Sequence, residues 1–231
     1  MTNIQSPIEN PSPSLEGRGG ERLQILLGSQ SPRRRELLAG LDVPFTAVSI
    51  DADESYPSDL QAGDIPAYIS RAKAEAYAPE LKENQLLITA DTIVWCEGRM
   101  LGKPHDEDDA KAMLRLLSGK THQVYTAVTF AQRILSTDNS PRDNFSQLST
   151  FNLQLELETI VDCTDVTFAD LTEEEITHYI SKYRPFDKAG AYGIQEWIGY
   201  IACTQMRGSY FNVMGFPVQK VYEVLKERAF F

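Results

Sequence analysis

Positive charge is scarce in this chain. Lys and Arg total 22 against 33 Asp and Glu, for a formal net charge of -11. That balance excludes broad binding to nucleic acid, which needs an extended basic surface to neutralise phosphates. It does not exclude a small polyanion, which needs only a local pocket. Cysteine is also scarce. Cys96, Cys163 and Cys203 show no CxxC or zinc-ligand spacing, so a disulfide framework is excluded and buried free thiols of a reducing, cytoplasmic compartment are expected. The three histidines, His105, His122 and His178, share no metal-ligand spacing, and His178 reads as a surface residue. No apolar run approaches the ~20 residues of a membrane span, and no secretory signal pattern opens the chain. There is no GxGxxG, no P-loop, no Ser-His-Asp or Cys-His pattern and no internal repeat.

What is present is a chain of 231 residues, long enough for one large α/β domain. Residues 1–20 are rich in Pro, Ser, Asn and Gly and read as a disordered leader or an over-long start, with the ordered domain over 21–231. Strands are expected over 23–28, 43–50, 86–95 and 123–135. A turn is expected at Glu97-Gly98 and a polar loop over 136–147. From Phe151 the apolar residues alternate through Leu153, Leu155 and Leu157, and a phase shift near Cys163 suggests a bulge.

Helices are punctuated clearly. Ser31, Pro32 and Gly40 suit an N-cap, a first helical position and an end. A second helix over 64–77 places Ile65, Ile69, Ala72 and Ala76 on one face. A third, over 106–117, carries Ala110, Met113, Leu114 and Leu117. Thr172 and Glu175 form a capping box, with Leu171 and Ile176 as its staple, ahead of Tyr179, Ile180 and Tyr183. Pro217 opens a last helix with Val218, Val221, Tyr222 and Leu225 inward. Early alternation of strand and helix, followed by adjacent long strands, predicts a mixed sheet flanked by helices.

Against the acidic background, residues 29–35 read Ser-Gln-Ser-Pro-Arg-Arg-Arg. They place arginines at a helix N-terminus, where free N–H groups and the helix dipole already favour an anion. Asp91 follows an apolar strand segment, a usual place for a site carboxylate or for a turn cap. Lys103 sits between Gly102 and Pro104, either reaching a phosphate or lying at the surface. Asp51, Asp53 and Glu54 form either a Mg2+ ligand set or a solvated acidic loop. Residues 187–195 are Gly-rich, allowing close backbone approach or simply a turn. Lys73, beside Arg71, reads by itself as a surface lysine.

Together these pieces form a pattern. Residues 26–38 (Leu-Leu-Gly-Ser-Gln-Ser-Pro-Arg-Arg-Arg-Glu-Leu-Leu) closely resemble the opening motif of the Maf family of nucleoside triphosphate pyrophosphatases. So do Asp53-Glu54, Arg71-Ala72-Lys73, Ala90-Asp91-Thr92, Gly102-Lys103-Pro104, the 117–124 stretch Leu-Ser-Gly-Lys-Thr-His-Gln-Val, and Asp-Lys-Ala-Gly-Ala-Tyr-Gly-Ile-Gln over 187–195. Order and spacing match from about residue 23 to the end. The Pro-Arg-Arg, Ala-Asp-Thr and Gly-Ile-Gln versions resemble the branch acting on dTTP and UTP rather than the 7-methyl-GTP branch. Departures are Gly28 where Ala is usual, a longer loop before Phe151, and the leader.

The resemblance implies an elongated, forked mixed sheet with a central cleft, a Maf/ITPase-like α/β fold. It implies water attack at the α-phosphorus, giving a nucleoside monophosphate and pyrophosphate, on dTTP, UTP and modified pyrimidine nucleotides. Asp91 would be the catalytic proton acceptor, and Arg33, Thr92 and Gln195 would tune base choice. Ser29, Arg33, Arg34, Lys73, Lys103 and Lys188 would bind phosphate, leaving Arg35 to solvent. A divalent metal, Mg2+ or Mn2+, on Asp91 with Glu54 would activate water that a lone carboxylate deprotonates poorly. The family is compatible with a homodimer. The competing expectations are a 7-methyl-GTP enzyme and a nucleotide-binding regulator of septum formation without turnover.

Overall fold

A computed structural model describes residues 23–136 and 152–231. The expected leader over 1–20 lies outside these residues. So does the expected loop over 136–147, apart from Ser136, which ends a strand.

The chain begins with β1 (Gln24–Gly28), α1 (Pro32–Ala39), β2 (Phe45–Ala47) and α2 (Asp64–Tyr77). The buried run through β1 suits a strand covered on both faces. β3 (Gln85–Cys96) turns at Glu97-Gly98 into β4 (Arg99–Leu101). After α3 (Glu107–Leu117) come the long antiparallel strands β5 (Thr121–Ser136) and β6 (Asn152–Phe168). α4 (Glu173–Tyr183), α5 (Trp197–Ala202), β7 (Cys203–Arg207), α6 (Tyr210–Val213) and α7 (Val218–Glu227) follow. The seven described strands form one mixed sheet in the order β2-β1-β3-β5-β6-β7, with β4 also on β3.

The fork lies on β3. One edge of β3 pairs with β5 from Leu86 to Trp95. The other edge pairs with β1 through Thr89 and with β4 from Val94. Between those partners Ala90, Asp91, Thr92 and Ile93 have no strand on that side among the described residues. β1 is parallel to both neighbours, and its crossover through α1 leads to β2, away from β3. A gap beside the C-terminal end of such a strand is where open α/β sheets bind ligands.

Apolar residues cover both faces. Ile25, Leu27, Leu86 and Ile88 pack with Leu38 of α1 and Val221 and Leu225 of α7. On the opposite face α2 bridges two clusters, one around Ile93 and one around Leu87. The capping box on α4 is formed from both sides, by Thr172 and Glu175.

Several expectations change. The second strand shrinks to three residues, because β1 is its one neighbour and leaves the sheet at Gly28. On α2, Ile65 and Ile69 are buried as expected, but Ser70 and Ala74 replace Ala72 and Ala76. The buried face rotates because the helix starts on one apolar cluster and ends on the other. At ~100° per residue, Lys73 projects between Ile69 and Ala74, into the protein. On α7, Val224 is buried, whereas Tyr222 is half-buried against Phe231. The β5–β6 register runs without a break through Cys163, and the irregularity lies at Thr167/Phe168 against β7. Only Cys96 is a buried thiol. Cys163 is exposed, on the phase of β6 opposite buried Thr164 and Val166.

Candidate active site

The gap in β3 opens into a cleft of about 630 Å3. Its lining includes Ser29, Arg33, Arg34, Glu54, Lys73, Asp91, Thr92, Lys103, Lys188 and Gln195. All ten residues singled out from the sequence therefore meet in one place, within a single chain. They come from the loop after β1, the start of α1, the loop before α2, α2 itself, β3, the segment after β4, and the 187–195 stretch.

At the centre is a lysine between two carboxylates. Lys73 Nζ lies 2.9 Å from Asp91 Oδ1 and 2.9 Å from Glu54 Oε1. Lys73 and Asp91 are each 14% exposed, while Glu54 is 53% exposed. Burial pushes the Glu54 carboxyl up, but the Lys73 bond and charge, with Lys103 and Arg34 nearby, hold it below its usual range. Lys103 is exposed and acts on Glu54 through its field.

Alternation along β3 sends Asp91 and Thr92 to opposite faces of the strand. Asp91 meets α2, and Thr92 meets α1. Arg34 closes that second side. Its Nη1 donates to the Ala90 carbonyl at 2.8 Å, on the stretch that lacks a strand partner. Its Nε donates to the Gly215 carbonyl at 2.9 Å and its Nη2 to Thr92 Oγ1 at 2.9 Å. Burial lowers the proton affinity of this guanidinium, and the nearby Asp91 and Glu54 charges counteract that. Thr126 Oγ1 donates to the Asn212 carbonyl at 2.9 Å and lies 3.0 Å from Thr92 Oγ1. Thr92 must then give its own proton to Thr126. Thr92 lines the cleft, but its hydroxyl is engaged as donor and acceptor within the protein.

A second wall is the 187–195 stretch. Asp187 bridges two cations, Arg33 Nη1 at 3.1 Å and Lys188 Nζ at 2.7 Å. Burial raises the Asp187 carboxyl, and the Lys188 and Arg33 contacts more than reverse this, leaving it below its usual range. Lys188 also meets Glu196 Oε1 at 3.0 Å. Gly190 has a φ of +67°, and a Cβ there would come within 2.8 Å of Val94, so a residue without a side chain is required.

The loop after β1 is set by Ser29, whose Oγ accepts the Ser31 N–H at 3.2 Å. The Ser31 side chain makes no cap bond, so α1 begins on its backbone geometry and Pro32. Gly28, where the resemblance expects Ala, faces Ile50 Cδ1, which fills the space an added methyl would need. Arg35 is exposed.

Four contributors were not assigned roles from the sequence. Asp187 lies inside a recognised motif, but its bridge joins residues 154 positions apart. Tyr179 and Glu196 meet only through the fold, Tyr179 Oη donating to Glu196 Oε2. His122 is buried, with Nε2 2.8 Å from the Tyr192 hydroxyl. Burial alone lowers its pKa to about 4. Its one sequence signal was membership of the 117–124 stretch.

An open mixed sheet, forked at a cleft that gathers cations and carboxylates beside a helix start, defines an α/β protein with a charged cleft at the fork. The chain belongs to the Maf-like protein family, which it matches over residues 24–228. It is 48% identical over 208 residues to a dTTP/UTP pyrophosphatase of Bacteroides thetaiotaomicron, covering 90% of this chain and 97% of that one. It is 49% identical to the protein of the same name from Phocaeicola vulgatus, with the same coverage. A third, from Flavobacterium johnsoniae, is 43% identical over 205 residues, covering 89% and 95%.

Proposed function

We propose that this chain hydrolyses dTTP and UTP to the nucleoside monophosphate and pyrophosphate. The observation that carries the reading is the meeting of Asp91 with Lys73, Arg33 and Lys188 in one cleft. The similarity to dTTP/UTP pyrophosphatases over nine-tenths of the chain supports the substrate class.

The chemistry follows from charge. A triphosphate repels a nucleophile, and the leaving pyrophosphate gains negative charge as the bond to the α-phosphorus breaks. Arg33, Lys188 and Lys103 offset the charge of the phosphate chain. Arg34 braces the β3 gap through the Ala90 carbonyl and the Thr92 hydroxyl and contributes its field. The Ser29 hydroxyl keeps its proton for a phosphate oxygen, since its oxygen already accepts from Ser31. Asp91 orients the attacking water and accepts its proton. Lys73 fixes the Asp91 carboxylate and shields its charge from the incoming phosphates. Gln195 offers both a donor and an acceptor to a uracil-type edge, while Arg33 and the Thr92–Arg34 pair shape the neighbouring space.

Asp91 and Glu54 fit a divalent cation. Their oxygens converge on one Lys73 nitrogen, and Mg2+ sites commonly use one or two carboxylates plus substrate phosphates. Among the described residues no group of three or more His, Cys, Asp or Glu could hold a metal alone, so substrate would complete the shell. Held by Asp91 and Glu54, Mg2+ or Mn2+ would supply a more acidic water and would offset phosphate charge.

No helix among the described residues is long and apolar enough to cross a membrane, and cytoplasmic nucleotide pools would supply the substrate. The test is a panel of triphosphates assayed for pyrophosphate release, with and without Mg2+ or Mn2+. Turnover of dTTP and UTP above the rest is expected. Preference for 7-methyl-GTP, or binding without turnover, would contradict it.

A further inference from the structure

We infer that Tyr179 and Glu196 are positioning residues that hold Lys188 for the phosphate chain. The inference rests on the reading of the cleft as a polyphosphate site. Neither residue lines the cleft, and both reach it through Lys188.

Tyr179 is fully buried on α4. Its hydroxyl donates to Glu196 Oε2 and accepts the Gly193 N–H at 3.0 Å. The other Glu196 oxygen holds Lys188 Nζ at 3.0 Å. One hydroxyl thus fastens two points of the stretch that carries Lys188 and Gln195. Burial and the Glu196 charge raise the Tyr179 pKa, which keeps it a donor. The packing is close as well: a Cβ at Gly193 would lie 2.9 Å from the Glu196 carboxyl carbon and 3.1 Å from Lys188 Cε.

The two carboxylates on Lys188 are unequal. Asp187 is 58% exposed and shared with Arg33, so a phosphate oxygen can take its place. Glu196 is 20% exposed, with one oxygen on Tyr179 and the other on Lys188. Glu196 therefore remains as the fixed partner of a lysine that is 9% exposed, and it sets where the ammonium points.

Inorganic tripolyphosphate is the probe, with affinity measured by calorimetry for the wild-type chain, Tyr179→Phe, Glu196→Gln and the double variant. Tyr179→Phe leaves every charge in place, and about tenfold weaker binding is expected. Glu196→Gln separates two roles of opposite sign. A carboxylate acting only through its charge repels the probe, so its neutralisation would tighten binding. A carboxylate that holds Lys188 loses its grip when neutralised, and weaker binding is expected. The double variant should bind no worse than the weaker single one, because both act along one path. Unchanged binding in Tyr179→Phe, tighter binding in Glu196→Gln, or additive losses would overturn the inference while leaving the polyphosphate site intact. No binding by the wild-type chain would overturn both. Should Tyr179→Phe fail to fold, the sign of the Glu196→Gln effect still decides.

Discussion

The two walls of the cleft hold their charges differently. On the β3–α2 wall, Lys73 and Asp91 are both 14% exposed and stand on a strand and a helix. On the second wall, the Arg33–Asp187 pair is 24% and 58% exposed, and Asp187 sits on a connecting stretch. Regular elements place side chains more rigidly than loops do. Exposed ion pairs contribute little, about 0–1 kcal/mol, and are readily exchanged. One wall is thus preorganised for chemistry, and the other holds its cations with a carboxylate that a ligand can replace.

The largest effect expected is on the first wall. Asp91→Asn removes the proposed proton acceptor and leaves Glu54 as the one charged partner of Lys73. Turnover should fall about 10²–10⁴-fold while the thermal melt stays near that of the wild-type chain. Near-normal turnover would erase the distinction between the walls. Gln195→Glu comes next. It replaces a donor with a charge at the position proposed to read the base, and preference for dTTP and UTP over other triphosphates should weaken about tenfold. An unchanged substrate profile would remove Gln195 from base choice.

Asp187→Asn should act in the opposite direction. Removing the carboxylate that bridges Arg33 and Lys188 should tighten pyrophosphate binding about two- to fivefold, in line with an exposed ion pair. Looser binding in a titration would mean that Asp187 supports the ligand instead of competing with it.

The smallest effect on turnover, and one mainly on stability, is expected at His122. It anchors the second wall through Tyr192. Its folded pKa is depressed from 6.5 to about 4, so between those values the unfolded chain binds more protons. Its contribution is full above pH 6.5 and is lost as pH falls toward 4, up to about 3 kcal/mol. His122→Gln keeps a polar partner for Tyr192 without titrating, and its unfolding midpoint should fall less over that window. Parallel pH curves for the two proteins would show that His122 is not the cause.

The same contrast governs how much could be read from the sequence. The residues proposed to meet the ligand lie in short local motifs, so Asp91, Arg33, Lys188 and Gln195 stood out from the sequence, while Lys73 reads alone as a surface lysine and joined them through the family resemblance. Helix ends were legible where capping is local, as at Thr172 and Glu175. The strand gap was not, because it depends on where β1 stops and β4 starts along β3. Nor was the rotated face of α2, since two separate clusters receive it. Tyr179 reads as an ordinary core aromatic at helical spacing. Its hydroxyl gains meaning only when folding brings Gly193 and Glu196 to it. Arg34 reads as one of three similar arginines, and its three protein acceptors are distant in sequence.

The most direct measurement is hydrolysis of dTTP by the wild-type chain in 18O-labelled water, with both products analysed by mass. Attack by water at the α-phosphorus predicts one labelled oxygen in dTMP and none in pyrophosphate. Label in pyrophosphate, or release of single phosphates instead, would contradict the account.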